Sequence, residues 1–261
     1  MRIRRNVAET IDASYDLLLP GSLAPLVLTC EHARNRLPAG CAPDAHERTI
    51  LRSHWGFDIG AWQVTRALAR RLGASGIGGR WSRLWIDLNR RVDDPTLIRE
   101  SVEGHLLSWN ARVGPHERER RVLGHHAPYH EALDRLIIRR LVRGRRPLLL
   151  AVHTFTPRLS GRPRSFDAGV LYERERHLAR VLGRELRRAG LRVRYNAPYS
   201  GMAGMMYSVD RHGKHHGLPC LELELNQDLF SGRSRAAALV RVVEGAVREL
   251  LSRAGQRARS G

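Results

Sequence analysis

Cysteine is scarce in this sequence: Cys30, Cys41 and Cys220 are the three thiols among 261 residues. They are too few and too scattered for a disulfide framework or a four-thiolate metal site, so a reduced, cytoplasmic setting is expected. Lysine is scarcer still, since Lys214 is the single lysine although lysine and arginine together number 45. No stretch approaches the roughly 18 consecutive apolar residues of a membrane span. The opening Met1-Arg2-Ile3-Arg4-Arg5 is charged and runs into Asn, Glu and Asp, which is not the pattern of a secretory signal. No Pro/Gly/Ser-rich linker and no repeat of fixed period divides the chain, so one domain is expected.

The net charge of +19 raises the possibility of a nucleic-acid partner, because basic surface dominates that kind of binding. The supporting motifs are missing: there is no glycine-rich phosphate loop, no zinc-finger spacing and no basic run interleaved with aromatics. The arginines recur instead at helical spacing, as at Arg66, Arg70 and Arg71 and at Arg135, Arg139, Arg140 and Arg143. That spacing reads as the solvated face of helices. A basic, non-enzymatic nucleic-acid-binding protein with structural histidines is therefore the rival reading, and neither a nucleic acid nor a membrane is expected as partner.

What the sequence does have is apolar runs that stop at chemistry. Leu26-Val27-Leu28-Thr29-Cys30 runs into Glu31 and His32, and Pro147 to Val152 runs into His153. Both read as buried strands that deliver polar side chains to their C-terminal ends, where open α/β sheets bind ligands. Two imidazoles and one carboxylate suit a catalytic zinc that keeps a position for water. Ser53-His54-Trp55-Gly56-Phe57-Asp58 precedes a helix running from Ile59 to Leu72, stopped by Gly73. Asp58 is expected at its N-terminus, where a carboxylate caps free amides.

Ser82 to Arg90 reads as a strand with Leu84, Ile86 and Leu88 apolar, closed by Asn89 and Arg90. An amide beside a guanidinium fork suits a carboxylate. Residues 91–125 read as irregular and lid-like. A helix from Pro128 carrying Leu133, Leu136, Ile137 and Leu141, a short strand at Gly169 to Tyr172 and a helix from Arg174 to Ala189 follow. Next come a half-buried strand at Leu191 to Tyr195 and a loop from Asn196 to Gly204 that could cover a substrate. Leu218 to Asn226 alternates apolar and acidic residues, which puts Glu222 and Glu224 on one face; a buried carboxylate there needs a partner or a purpose. The last helix runs from near Arg235 to Ala254. The expected organisation is a lead-in at 1–25, a catalytic domain at 26–254 and a polar tail at 255–261. The fold class is α/β: a single domain with a mixed, mostly parallel sheet flanked by helices.

Six blocks, in order, resemble the N-formylglutamate amidohydrolase family, relatives of the zinc carboxypeptidases and aspartoacylases. They are Cys30 to Ala33, Ser53 to Gly60, Ser82 to Arg90, Val152 to Pro157, Asn196 to Ser200 and Glu224 to Leu229. The resemblance implies a carboxypeptidase-like (phosphorylase/hydrolase-like) fold, one zinc per chain and a small anionic N-acyl amino acid as substrate. It implies His32 and His153 as zinc ligands. The wider group's His-x-x-Glu spacing is not kept, because Asn35 stands where the glutamate belongs. Asp58 matches that glutamate better, at the start of the next helix, with Glu31 and His54 competing for the third place.

The block Asp87-Leu88-Asn89-Arg90 is similar to the Asn-Arg pair that holds a substrate carboxylate in aspartoacylase-like enzymes. Asn89 and Arg90, with Arg83 from the same block, are accordingly expected to bind substrate. A glutamate on a late strand is that group's general base. Glu224 matches it better than Glu222 by its spacing to Asn226, Asp228 and Leu229. The resulting expectation is a zinc-dependent amidohydrolase that removes an N-acyl group, formyl above all, from an acidic amino acid such as N-formylglutamate.

Overall fold

The structure, a computed structural model, describes residues 14–159 and 161–260. Seven strands form one sheet: β1 (Tyr15–Leu18), β2 (Leu26–Cys30), β3 (Ser75–Gly79), β4 (Leu148–Phe155), β5 (Ala168–Leu171), β6 (Val193–Tyr195) and β7 (Cys220–Asn226). Their order across the sheet is β1-β3-β2-β4-β7-β5-β6. The centre, β3-β2-β4-β7, is parallel. β1 joins β3 antiparallel, and β5 joins β7 antiparallel while pairing in parallel with β6. The chain is thus a single α/β domain with a mixed, mostly parallel sheet.

The central strands are buried from end to end, as expected of a sheet covered on both faces. Alternation then assigns their side chains to two layers. Leu26, Leu28, Leu148, Leu150, Val152, Leu221, Leu223 and Leu225 pack on helices α2 (Ala61–Leu72), α5 (Arg176–Arg188) and α7 (Arg233–Ser260). Val27, Ile77, Leu149, Ala151 and Cys220 pack on α4 (Ala127–Leu141) and α6 (Tyr207–His216). The register pairs Glu222 with Ala151 and Glu224 with His153. Both glutamates and His153 therefore leave the sheet on the α4/α6 side, near its C-terminal edge.

The remaining helices are α1 (Ala45–Arg52) and α3 (Pro115–Arg121), the latter joined to α4 by a π-helical stretch at Val122–His126. α3 shortens the region read as irregular. Its first residue is a proline, which suits a helix start because it lacks the N–H that would be unpaired there. Within the stretch read as a lead-in, Tyr15–Leu18 forms the edge strand β1, and residues 1–13 lie outside the described chain. At the other end α7 continues past Ala254 to Ser260, into the stretch expected as a polar tail.

Two further expectations are corrected. Ser82 to Arg90 is not a strand but a succession of turns, closed by Trp85 N–H to Ser82 C=O at 2.8 Å and Arg90 N–H to Asp87 C=O at 3.2 Å. Ser82 and Asp87 divert the backbone with their own side chains: Ser82 Oγ accepts from the Leu84 amide and Asp87 Oδ1 from the Asn89 amide. The second concerns the arginines. Arg66, Arg70, Arg71, Arg135, Arg139 and Arg143 are solvated, but Arg140 is fully buried. Its guanidinium donates to the carbonyls of Ala24 and Leu136 and to Ser75 Oγ, so it joins α4 to the sheet.

Candidate active site

The ends of β2 and β4 and the turns at 82–90 open onto one cavity of about 290 Å³. His32, Asp58, Arg83, Asp87, Asn89, Arg90, His153, Glu222 and Glu224 all line it. Asp58 reaches it because the chain before α2 is pinned: its amide donates to the His32 carbonyl at 2.9 Å. It does not cap α2, whose N-cap is Gly60 at φ 89° and receives no side-chain bond. The Asp58 carboxylate turns into the cleft instead.

The two imidazoles are set alike. Nε2 of His32 donates to Asp87 Oδ1 at 2.7 Å, and Nε2 of His153 donates to Glu31 Oε2 at 3.0 Å. Their other nitrogens converge on one oxygen: Asp58 Oδ2 lies 2.8 Å from His153 Nδ1 and 3.5 Å from His32 Nδ1. His32 Nδ1 is buried without a hydrogen-bond partner. A carboxylate fixing the far nitrogen and leaving the near one toward the cleft is how metal-ligating histidines are oriented. Nitrogen, nitrogen and carboxylate oxygen is also the donor set of a three-ligand catalytic zinc. The residues present are thus compatible with a metal ion, for which Nδ1 of both histidines and the Asp58 carboxylate could serve as ligands.

Electrostatics agree with that fit. Burial works against charge on His153, yet Glu222, Asp58 and Glu31 around it raise its pKa well above the usual histidine value. Burial likewise opposes ionisation of Glu31, but the His153 hydrogen bond and charge hold its pKa at about 2. Asp58 is kept ionised by His32 and His153 despite its burial. On β7 the balance reverses. Burial pushes Glu222 up to about 7, against the pull of His153, and raises Glu224 well above the carboxylate range. One oxygen of each glutamate is buried without a hydrogen-bond partner. Five acidic side chains crowd two imidazoles here, and a cation would relieve them.

Among the described residues, the group in this cleft able to hold a metal is His32, Asp58 and His153. Glu31, a competitor for the third place, stands behind His153 on its Nε2 side, with Tyr129 OH donating to its other oxygen at 3.0 Å. His54 lines the cavity beside Trp55 but is not in the ligand group. Glu222 Oε2 is 3.6 Å from His153 Nε2, also behind the ring. Glu224 sits two residues nearer the open edge of the sheet and forms no ion pair within 4.0 Å among the described residues.

The comparisons with known proteins follow the same line. The model of the N-formylglutamate amidohydrolase family matches residues 24–231. The chain belongs to the N-formylglutamate amidohydrolase family. Amidohydrolase chemistry is accordingly its coarse function. Among solved structures, gene product Atu2144 from Agrobacterium tumefaciens superposes with a TM-score of 0.86 at 26% identity, covering 96% of this chain and all (100%) of that one. N-formylglutamate amidohydrolase from Ralstonia eutropha JMP134 superposes with a TM-score of 0.74 at 23% identity, covering 96% of this chain and 100% of that chain. No curated protein matches the sequence.

Around the histidines of this family member, the cleft is lined with arginine. Asn89 Oδ1 accepts from the Ser208 amide at 2.9 Å, which fixes the side chain and leaves its Nδ2 to donate. Arg90 is only loosely held, 4.0 Å from Asp87 and from Asp94. Arg83 is committed to Asp87 at 3.0 Å and stands 3.7 Å from Asp58. Arg99 and Arg164, which no motif in the sequence singles out, also line the cavity. Neither is within 4.0 Å of a carboxylate among the described residues; Arg99 lies over Trp55, and Arg164 over Phe155 and Tyr199. Asp87 was in view within its block, but nothing in its spacing marks it as the partner of a histidine 55 residues away.

Proposed function

We propose that the chain is a zinc-dependent amidohydrolase that removes the N-formyl group from an acidic amino acid such as N-formylglutamate. The observation that carries this is the pair of buried imidazoles, each bonded through Nε2 to a carboxylate and each presenting Nδ1 to Asp58, at the foot of an arginine-lined cavity. Zinc bound there would act as a Lewis acid on the amide carbonyl and lower the pKa of the attacking water.

The chain's own groups do the rest. Glu224 takes the proton of the attacking water and returns it to the leaving amine. Burial raises the Glu224 pKa well above the carboxylate range, and beside a bound cation it would fall again toward a value at which the carboxylate is free to take a proton. Glu31 and Asp87 keep the histidine rings oriented. Arg90 and the Asn89 amide take the substrate α-carboxylate, a bidentate task suited to the guanidinium fork. Arg99 and Arg164 remain for the side-chain carboxylate. That favours an acidic amino acid over a neutral one.

A panel of N-formyl and N-acetyl amino acids, assayed for free amine with zinc supplied, tests the reading. N-formylglutamate should be hydrolysed in strong preference to N-formylleucine and to N-acetylglutamate. Equal turnover of the acidic and neutral formyl substrates would remove the role given to the arginines. No turnover of any amide would remove the function.

A further inference from the structure

Away from the cleft, α4 and α6 bring together a second cluster: Asp134 from α4 with His212 and His216 from α6. Nδ1 of His212 and Nε2 of His216 both lie against Oδ1 of Asp134, at 2.7 and 2.8 Å. The histidines are one helical turn apart, so both rings leave the same face of α6. The His212 side chain is 1% exposed, that of His216 9% and that of Asp134 28%. The cluster is built into the protein with one side open to water.

Behind it stands a third histidine. Nδ1 of His130 is 2.9 Å from Nε2 of His212, while the other nitrogen of His130 is 3.1 Å from the Leu88 carbonyl. A carbonyl only accepts, so Nε2 of His130 carries its hydrogen, Nδ1 is the acceptor and Nε2 of His212 the donor. With Nε2 of His212 engaged by His130, Nδ1 is the nitrogen that His212 turns toward Asp134. The arrangement repeats that of the cleft: two imidazole nitrogens on one carboxylate oxygen, with a hydrogen-bond partner setting the ring from behind.

We propose that Asp134, His212 and His216 form a second metal site, for a divalent cation of zinc's kind, that ties α4 to α6. Two nitrogens and one oxygen suit such a cation, whereas Mg²⁺ and Ca²⁺ prefer oxygen throughout. The two helices it joins, together with the π-helical stretch that leads into α4, hold the turns at 82–90. His130 bonds the Leu88 carbonyl, His126 Nε2 donates to the Arg90 carbonyl at 2.9 Å, and the Ser208 amide donates to Asn89.

The test is the zinc content of full-length protein after equilibration with zinc alone and gel filtration, read by metal mass spectrometry. His216→Ala and Asp134→Asn should each carry one equivalent less than the wild type while keeping its circular dichroism, whatever the cleft holds. Asp58→Asn should still bind the second ion, and the double variant Asp58→Asn/His216→Ala should not. In the Asp58→Asn background zinc should raise the melting temperature, and adding Asp134→Asn should abolish the rise. Zinc content in His216→Ala and Asp134→Asn equal to that of the wild type overturns the site. So does an Asp58→Asn protein whose melting zinc leaves unmoved.

Discussion

Glu222 and Glu224 differ by one pleat of β7, and both line the cleft: Glu222 Oε2 lies 3.6 Å from His153 Nε2, while Glu224 has no ion pair among the described residues. Replacing Glu224 by Gln keeps the shape and removes the base, so turnover should fall by about 10²–10⁴ at unchanged zinc content. Glu222→Gln should be far milder, and the comparison is made on both variants at full zinc occupancy. If Glu222→Gln were dead and Glu224→Gln active, the two assignments would be reversed. Arg90 gives a second expectation: Arg90→Lys should impair activity nearly as much as Arg90→Ala, because an ammonium cannot reproduce the fork. Full activity on a substrate amidated at its α-carboxylate would contradict it. At this scale the sequence marked strand-end histidines and the Asn89-Arg90 pair, because apolar runs that stop at polar residues are visible in one dimension. The partners Asp87, Tyr129, Arg99 and Arg164 were not visible as such, since each acts across the fold on residues remote in the chain.

Among the elements, α3 makes the clearest energetic statement. It places Arg121 2% exposed, 3.4 Å over the Trp85 ring, donating to the carbonyls of Trp85 and Trp109 and to Asn110 Oδ1. Glu117, four residues earlier, accepts from Arg121 at 2.7 Å and from Arg120. The Arg120 hydrogen bond, followed by that of Arg121 against the cost of burial, holds the Glu117 pKa at about 2. A folded pKa below the unfolded value of 4.5 stabilises above that pH, and the contribution is lost as pH falls from 4.5 toward 2. Glu117→Gln should therefore cost about 1–3 kcal/mol near neutrality and flatten the pH dependence of unfolding in that window. Chemical denaturation of both proteins at pH 7 and pH 3 is the check, and equal losses at the two pH values would contradict it.

The misread stretches also belong to this scale. Leu84, Ile86 and Leu88 alternate as a strand would, but they are buried in three different apolar clusters, which only a turning backbone allows. The real strand, β3, is Ser-Gly-Ile-Gly-Gly and shows no alternation, because its glycines let neighbours approach the backbone. A Cβ on Gly79 would collide with the Glu31 carbonyl oxygen. Gly79→Ala should thus destabilise by about 3 kcal/mol, the upper end of overpacking, and weaken zinc binding at His32 next along the chain. A thermal melt and zinc titration within error of the wild type would contradict this.

For the whole molecule, the net charge of +19 and the arginines that ring the cleft have a kinetic consequence. A cleft of one sign focuses the field on oppositely charged substrate, and salt screens it. kcat/KM for an acidic N-formyl amino acid should fall as ionic strength rises, while that for a neutral one should hardly change; identical salt profiles would argue against steering. No helix of the described residues is long and apolar enough to cross a membrane. The fold class was legible because strand and helix periods alternate through most of the chain, and β2, β4 and β7 came out adjacent as their buried runs demand. His32, His153 and Asp58 are expected to hold a single zinc at the C-terminal edge of the sheet. An anomalous-scattering map at the zinc edge, from crystals of zinc-loaded protein, tests it most directly. It should show an ion in the cleft with Nδ1 of His32, Nδ1 of His153 and an Asp58 oxygen at roughly 2.0–2.2 Å. An ion bound through Nε2, an ion held by Glu31 in place of Asp58, or a cleft without an ion at saturating zinc would contradict it.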